Sequence, residues 1–112
     1  MKNLLSSIAV ALGVTFAAPF AVAGGDAAKG EPLTIVCSAC HGADGNSALP
    51  NFPKLAGLGE KYLLKQLKNI RSGDRPIVEM TGLLDNMSDQ QLANIAAFYN
   101  SKTTQLSGAK AL

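Results

Sequence analysis

Between positions 42 and 59 the sequence admits no regular element. His41-Gly42-Ala43-Asp44-Gly45-Asn46-Ser47 is turn chemistry, and Pro50, Pro53, Gly57 and Gly59 break any longer helix or strand. A structureless stretch this long is uncommon in a small domain unless it wraps something. Leu49, Phe52, Leu55 and Leu58 punctuate it, and these apolar groups need a surface to bury against. The chain has 112 residues, enough for one domain. A core that small supplies little surplus stability without a metal, disulfides or a cofactor. With only two cysteines, at most one disulfide is available, so the domain needs a large apolar object at its centre.

The N-terminus is a separate unit. Lys2 is followed by Leu4, Leu5, Ile8, Val10, Leu12, Val14 and Phe16, then Pro19 and Ala21-Val22-Ala23. A positive start, an apolar stretch and an A-x-A site describe a secretory signal peptide over 1–23, cleaved to leave one mature domain, 24–112. The apolar stretch is near the lower limit for a membrane anchor, but Pro19 and the cleavage site favour removal, with no stable membrane insertion afterwards. Loss of Lys2 leaves nine basic residues against eight acidic, a net of +1. That near-neutral balance argues against a nucleic-acid partner, which requires many Lys and Arg contacts.

The mature chain reads as all-α. Asp26 is a candidate N-cap for a first helix, which Pro32 either kinks or restarts as its first residue. Leu33, Ile35, Val36 and Ala39 carry it to about Cys40. In a second helix over 60–72, Leu63, Leu67 and Ile70 recur at helical spacing with Leu64 widening the stripe, and Gly73 follows as C′ residue. Residues 74–87 are irregular. Ser88 and Gln91 fit a capping box ahead of Leu92, Ile95, Ala96 and Tyr99. From about Lys102 the tail is small and polar, and fraying is expected.

The chemistry is carried by Cys37-Ser38-Ala39-Cys40-His41, the C-x-x-C-H signature of covalent haem attachment. Thiols at i and i+3 near a helix end face one side, so each can add to a haem vinyl group. The adjacent His41 then meets the iron. A thioredoxin-type motif expects a βαβ context, and a structural zinc site normally has four ligands where this chain offers three. A structural disulfide would explain neither the histidine nor the missing core.

A second axial ligand must come from elsewhere. His41 is the sole histidine and both cysteines are used, so the candidates are Met80 and Met87. Met87 has another role, at N′ directly before Ser88 with Leu92 at N4, as in a hydrophobic staple. Met80 lies in the irregular stretch, where a loop can present its thioether. Met80 is favoured, although filling the core is the ordinary role of any methionine.

With these residues in view, the chain resembles the small class I cytochromes c, in particular the bacterial cytochrome c-553 and di-haem cytochrome c4 type. The segments that carry the resemblance are C-S-A-C-H-G-A-D-G-N-S (37–47), F-P-K-L-A-G (52–57), M-T-G-L-L (80–84) and M-S-D-Q-Q-L-A-N-I-A-A-F-Y (87–99). The resemblance implies a small cytochrome c fold of three main helices and long loops enclosing one haem c. It also implies Gly30 at a helix crossing approached by Phe98 or Tyr99, the Pro53 carbonyl accepting from His41, and Met80 as axial ligand. The chain holds one haem motif, so the resemblance is to cytochrome c-553 or a single-haem half of the two-haem type and not to a complete two-haem member, with Pro32 as a further departure.

His/Met ligation saturates the iron, which favours electron transfer over catalysis. The expected function is therefore a periplasmic electron carrier, not an enzyme, working between donor and acceptor redox partner proteins. The alternatives are a haem subunit bound permanently to a periplasmic oxidoreductase and a gas-binding or peroxidatic haem protein with an open sixth site. Lys54, Lys61, Lys65, Lys68, Arg71 and Arg75 outnumber Glu60 and Asp74, six against two or a local +4. That run is either a steering face for an acidic partner or a solvated helix face. Arg71 or Arg75 is a candidate for pairing with a haem propionate.

Overall fold

The computed structural model describes Gly13 and residues 24–106. The expected signal peptide, Gly13 apart, and the last six residues lie outside the described residues. Four helices follow one another: α1 (Ala27–Gly30), α2 (Ile35–His41), α3 (Glu60–Ser72) and α4 (Asp89–Asn100). Tight 3-10 turns occupy Glu31–Thr34 and Val78–Met80, and no strand occurs among the described residues.

Pro32 explains the division between α1 and α2. Asp26 caps α1, accepting from the Ala28 and Lys29 N–H groups at 2.9 and 3.2 Å. Proline cannot donate in a regular ladder, and the chain tightens to a 3-10 turn with Pro32 in its first positions before α2 resumes. After the kink Ile35 is 73% exposed, and Val36, 50% exposed, borders an apolar cleft rather than the buried core.

Helix α3 spans the residues expected of it and buries Leu63 and Leu67. It stops at Gly73, whose φ of 87° places it in the left-handed region while its N–H donates to the Ile70 carbonyl. Helix α4 starts on the expected capping box, with Ser88 Oγ accepting from Gln91 N–H and Gln91 Oε1 accepting from Ser88 N–H.

Helix α4 is the centre of the molecule. Every residue from Leu92 to Tyr99 is buried, a wider burial than the single stripe of Leu92, Ile95, Ala96 and Tyr99 requires. Helices α1 and α3 both pack on it. Leu63, Leu67 and Leu84 join Leu92, Ile95, Ala96, Phe98 and Tyr99 in one cluster. The buried Asn94 is satisfied, its Oδ1 accepting from Asp26 N–H at 2.9 Å and from Gln90 Nε2 at 3.1 Å.

Gly30 marks the crossing of α1 and α4. A Cβ there would stand 2.0 Å from the Asn94 carbonyl oxygen. Its partner is the Asn94–Ile95 backbone, not the expected Phe98 or Tyr99 rings. Those two rings instead pack edge to face on each other, with centroids 5.2 Å apart.

Two connections close the fold differently. The loop after α2 is tied to the end of α4, with Gly57 N–H donating to Tyr99 O at 2.9 Å and Asn100 Nδ2 to Leu58 O at 2.8 Å. Backbone bonds within residues 77–87 instead run only between near neighbours, such as Met80 N–H to Ile77 O and Met87 N–H to Leu84 O, both 3.0 Å. The far end of that segment is pinned from α3, where Arg71 Nη1 donates to Met87 O at 2.8 Å. Arg71 also pairs with Asp89, and Lys68 lies 3.5 Å from the same carboxylate.

Gly30→Ala is expected to destabilise the protein by about 3 kcal/mol or more, because the obstacle is backbone that cannot swing aside. Gly73→Ala, limited to left-handed backbone strain, costs about 1–2 kcal/mol; thermal unfolding of the two variants gives the order. The Arg71 guanidinium holds the Asp89 carboxyl below the usual range, with Lys68 assisting. A folded-state value below the unfolded one contributes stability above about pH 4 and loses it as pH falls through the folded value. Asp89→Asn should therefore flatten the acid limb of the unfolding midpoint against pH and leave the neutral limb's slope unchanged.

Candidate haem-binding site

The last turn of α2 presents Cys37, Cys40 and His41. Spacing i to i+3 puts both sulfurs on one helix face, and both thiols are free and half-buried. The helix ends at Gly42, whose N–H donates to Ser38 O at 3.0 Å. His41 is buried, and its Nδ1 lies 2.7 Å from the Pro53 carbonyl oxygen. With Nδ1–H donating there, Nε2 is the ring nitrogen left for a ligand. The Phe52 ring stands edge-on to the imidazole, centroids 6.5 Å apart. Ser47 ties the loop back to the motif, its hydroxyl 3.3 Å from Cys40 O.

Cys37, Cys40, His41, Phe52 and Pro53 form one wall of an apolar cleft of roughly 270 Å³. Leu63, Leu67 and Ile70 of α3 line it, as do Leu84, Ile95 and Tyr99. Phe52, Leu55 and Leu58 of the long loop face it too, whereas Leu49 is 51% exposed and takes no part. Met80 is on the lining and Met87 is not. Both methionines pack, partly buried, against the core cluster, and Met87 does so directly before the α4 cap.

The walls fit a covalently bound haem. Two unpaired thiols, one imidazole with a committed Nδ1 and one thioether border the same apolar volume. The Tyr99 hydroxyl is buried with no hydrogen-bond partner, beside the Cys37 thiol and Thr34. Burial is the main cause that pushes both the Cys37 thiol and the Tyr99 phenol above their ordinary values. No cluster of three or more His, Cys, Asp or Glu suited to a metal ion occurs among the described residues.

The basic run divides. Arg71 and Lys68 are committed to Asp89, and Lys54 donates to Gln105 O. Arg75 borders the cleft, donating to Gln66 Oε1 at 2.7 Å, so of the two arginines only Arg75 is placed beside the site. Tyr99 was legible as core from its spacing with Ile95, yet nothing in the pattern marks it as part of the cleft lining. Asn46 reads in sequence as a turn residue, and its longer reach is a result of the fold.

The family model for cytochrome c matches residues 27–102. The chain belongs to the cytochrome c family. A cytochrome c4 from Pseudomonas aeruginosa is 58% identical over 102 residues, covering 91% of this chain and 49% of that protein. Cytochrome c-554(548) from Halomonas halodenitrificans is 41% identical over 81 residues, covering 70% of this chain and 98% of its own length. A thiosulfate dehydrogenase electron acceptor from Thiomonas intermedia is 33% identical over 101 residues, covering 89% of this chain and 46% of that protein. The crystal structure of reduced recombinant cytochrome c4 from Pseudomonas stutzeri superposes with a TM-score of 0.72 at 51% identity, covering 74% of this chain and 48% of that one. The chain thus spans about half the length of the cytochromes c4 it matches. The fold is the small cytochrome c fold expected from the sequence, and the family's cofactor is a covalently bound haem c.

Proposed function

We propose that this chain is a periplasmic electron-transfer protein. Cys37 and Cys40 would hold one haem by thioether bonds, and His41 and Met80 would ligate its iron. The observation that carries the reading is that Cys37, Cys40, His41 and Met80 line one apolar cleft while Met87 stays outside it. Bound there, the haem supplies a one-electron Fe(II)/Fe(III) couple.

The protein's own residues do the rest. Pro53 O holds the imidazole by Nδ1–H, which fixes its orientation and raises its basicity as a ligand. Met80 completes the coordination, and a thioether favours the reduced iron more than a nitrogen or thiolate ligand does. Leu63, Leu67, Ile95 and their neighbours exclude water from the cleft. Their low dielectric disfavours the additional charge of the oxidised iron and moves the potential in the same direction. A saturated iron leaves no position for a substrate, so the protein is a carrier without a catalytic site of its own.

Secretion rests on the N-terminus. The residues directly after the A-V-A site are bonded into the domain, with Gly25 N–H donating to Glu60 Oε1 at 3.0 Å and Asp26 N–H to Asn94 Oδ1 at 2.9 Å. Cleavage after Ala23 keeps these two bonds, with 24–112 as the mature protein. No helix among the described residues is long and apolar enough to cross a membrane. The thiosulfate dehydrogenase electron acceptor among the relatives favours a second reading, in which the chain serves one oxidoreductase as its haem subunit. A haem-loaded monomer that stays stable when isolated excludes that permanent association.

The optical spectrum and redox titration of the oxidised, haem-loaded protein test the ligation. Met80→Ala should abolish the far-red band of methionine bound to ferric iron and admit carbon monoxide to the reduced form. Met87→Ala should keep the band and lower stability by about 1–2 kcal/mol, below the cost for a fully buried methionine. Loss of the band in Met87→Ala alone would reverse the assignment. Cys37→Ser and Cys40→Ser should each leave a haem held by one thioether, visible as a shifted absorption maximum in a pyridine extract.

A further inference from the structure

The tail after α4 folds back over the loop that presents Pro53. Asn46 is at its centre. Its Nδ2 donates to Thr103 O at 2.9 Å and to Asp44 Oδ2 at 3.0 Å, and its Oδ1 accepts from Gln105 N–H at 2.8 Å. Beyond Pro53, the Thr104 hydroxyl donates to Ala56 O and the Lys54 ammonium donates to Gln105 O. The two sides of the loop are themselves joined, because Leu55 and Ala56 N–H groups both donate to Gly45 O, at 2.8 and 3.2 Å. Residues 103–105 therefore lie across a bonded unit and do not fray from Lys102 as their composition predicts.

Pro53 has no N–H of its own and is exposed, so it is located through its neighbours. The tail holds the chain just after it, bonding the adjacent Lys54 and, three residues on, Ala56. The Pro53 carbonyl in turn receives the His41 Nδ1–H. We infer that residues 103–105, keyed by Asn46 and Thr104, are a positioning strap that sets the Pro53–His41 hydrogen bond and through it the donor strength of the imidazole. The inference rests on His41 being an axial ligand. A strap that only sealed the loop would add stability without reaching His41, whereas a positioning strap changes the imidazole when it is cut.

The test uses the haem-loaded protein and three variants: Asn46→Ala, Thr104→Val and Thr104→Ser. A wild-type protein lacking a low-spin spectrum would refute His41 and Met80 ligation before any variant is compared, which separates that failure from failure of the strap. In a wild type that passes, solvent exchange of the His41 Nδ1 proton is followed by NMR in the reduced state, together with the reduction potential. Asn46→Ala and Thr104→Val should speed the exchange on the order of tenfold, the factor set by losing one net hydrogen bond. They should also raise the potential, since a less tightly held imidazole is a weaker donor to ferric iron. Thr104→Ser, which keeps the hydroxyl, should restore both readouts. Variants that melt earlier but keep wild-type exchange and potential would overturn the inference, and so would Thr104→Ser behaving as Thr104→Val does. If Asn46→Ala does not fold, the Thr104 pair decides the matter.

Discussion

The burial of α4 on all sides, from Leu92 to Tyr99, is the constraint from which the other elements take their places. A helix enclosed in this way needs covering elements around its whole circumference. Helix α1 comes close enough only because position 30 has no side chain, which brings the Asn94 backbone against it. Helix α3 brings Leu63 and Leu67, and the long loop hangs from the helix's C-terminal end through Gly57, Leu58 and Asn100. What α4 leaves uncovered is the apolar cleft.

The cleft then explains the economy of the sequence. Leu55, Leu58, Leu63, Leu67 and Ile95 are shared between the small core and the cofactor wall, so a haem completes a core that the chain does not fill alone. The same sharing accounts for a loop without regular structure. Its inward side chains are ordered against the cofactor and α4, and its backbone is tied by side chains such as Ser47 and Asn46 and not by a ladder.

Much of this was legible in the residues because it depends on local chemistry. The C-x-x-C-H motif, the Ser88–Gln91 capping box, the stop at Gly73 and the α3 stripe are each decided within a few positions, and each stands where the pattern placed it. The misreadings involve partners far apart in sequence. Asn46 and Gln105 are separated by 59 positions, and no composition rule indicates that a small polar tail will be bonded there. Gly30 was expected to meet an aromatic ring, and it meets backbone because α4 approaches by its carbonyl edge at Asn94.

The two sides of the haem cleft are fastened unequally. The histidine side is cross-linked to α4 and to the tail by bonds between residues distant in sequence, whereas the Met80 segment is closed by bonds between near neighbours and by Arg71 at its far end. Local opening follows the weakest set of long-range ties. The domain is therefore built to breathe on one side: the segment that carries Met80 can open and close as a small cooperative unit while His41, the C-x-x-C turn and the helical frame stay in place. For Met80 as the proposed iron ligand, release and return would then be a sub-global fluctuation of the native protein, with a free energy below that of unfolding.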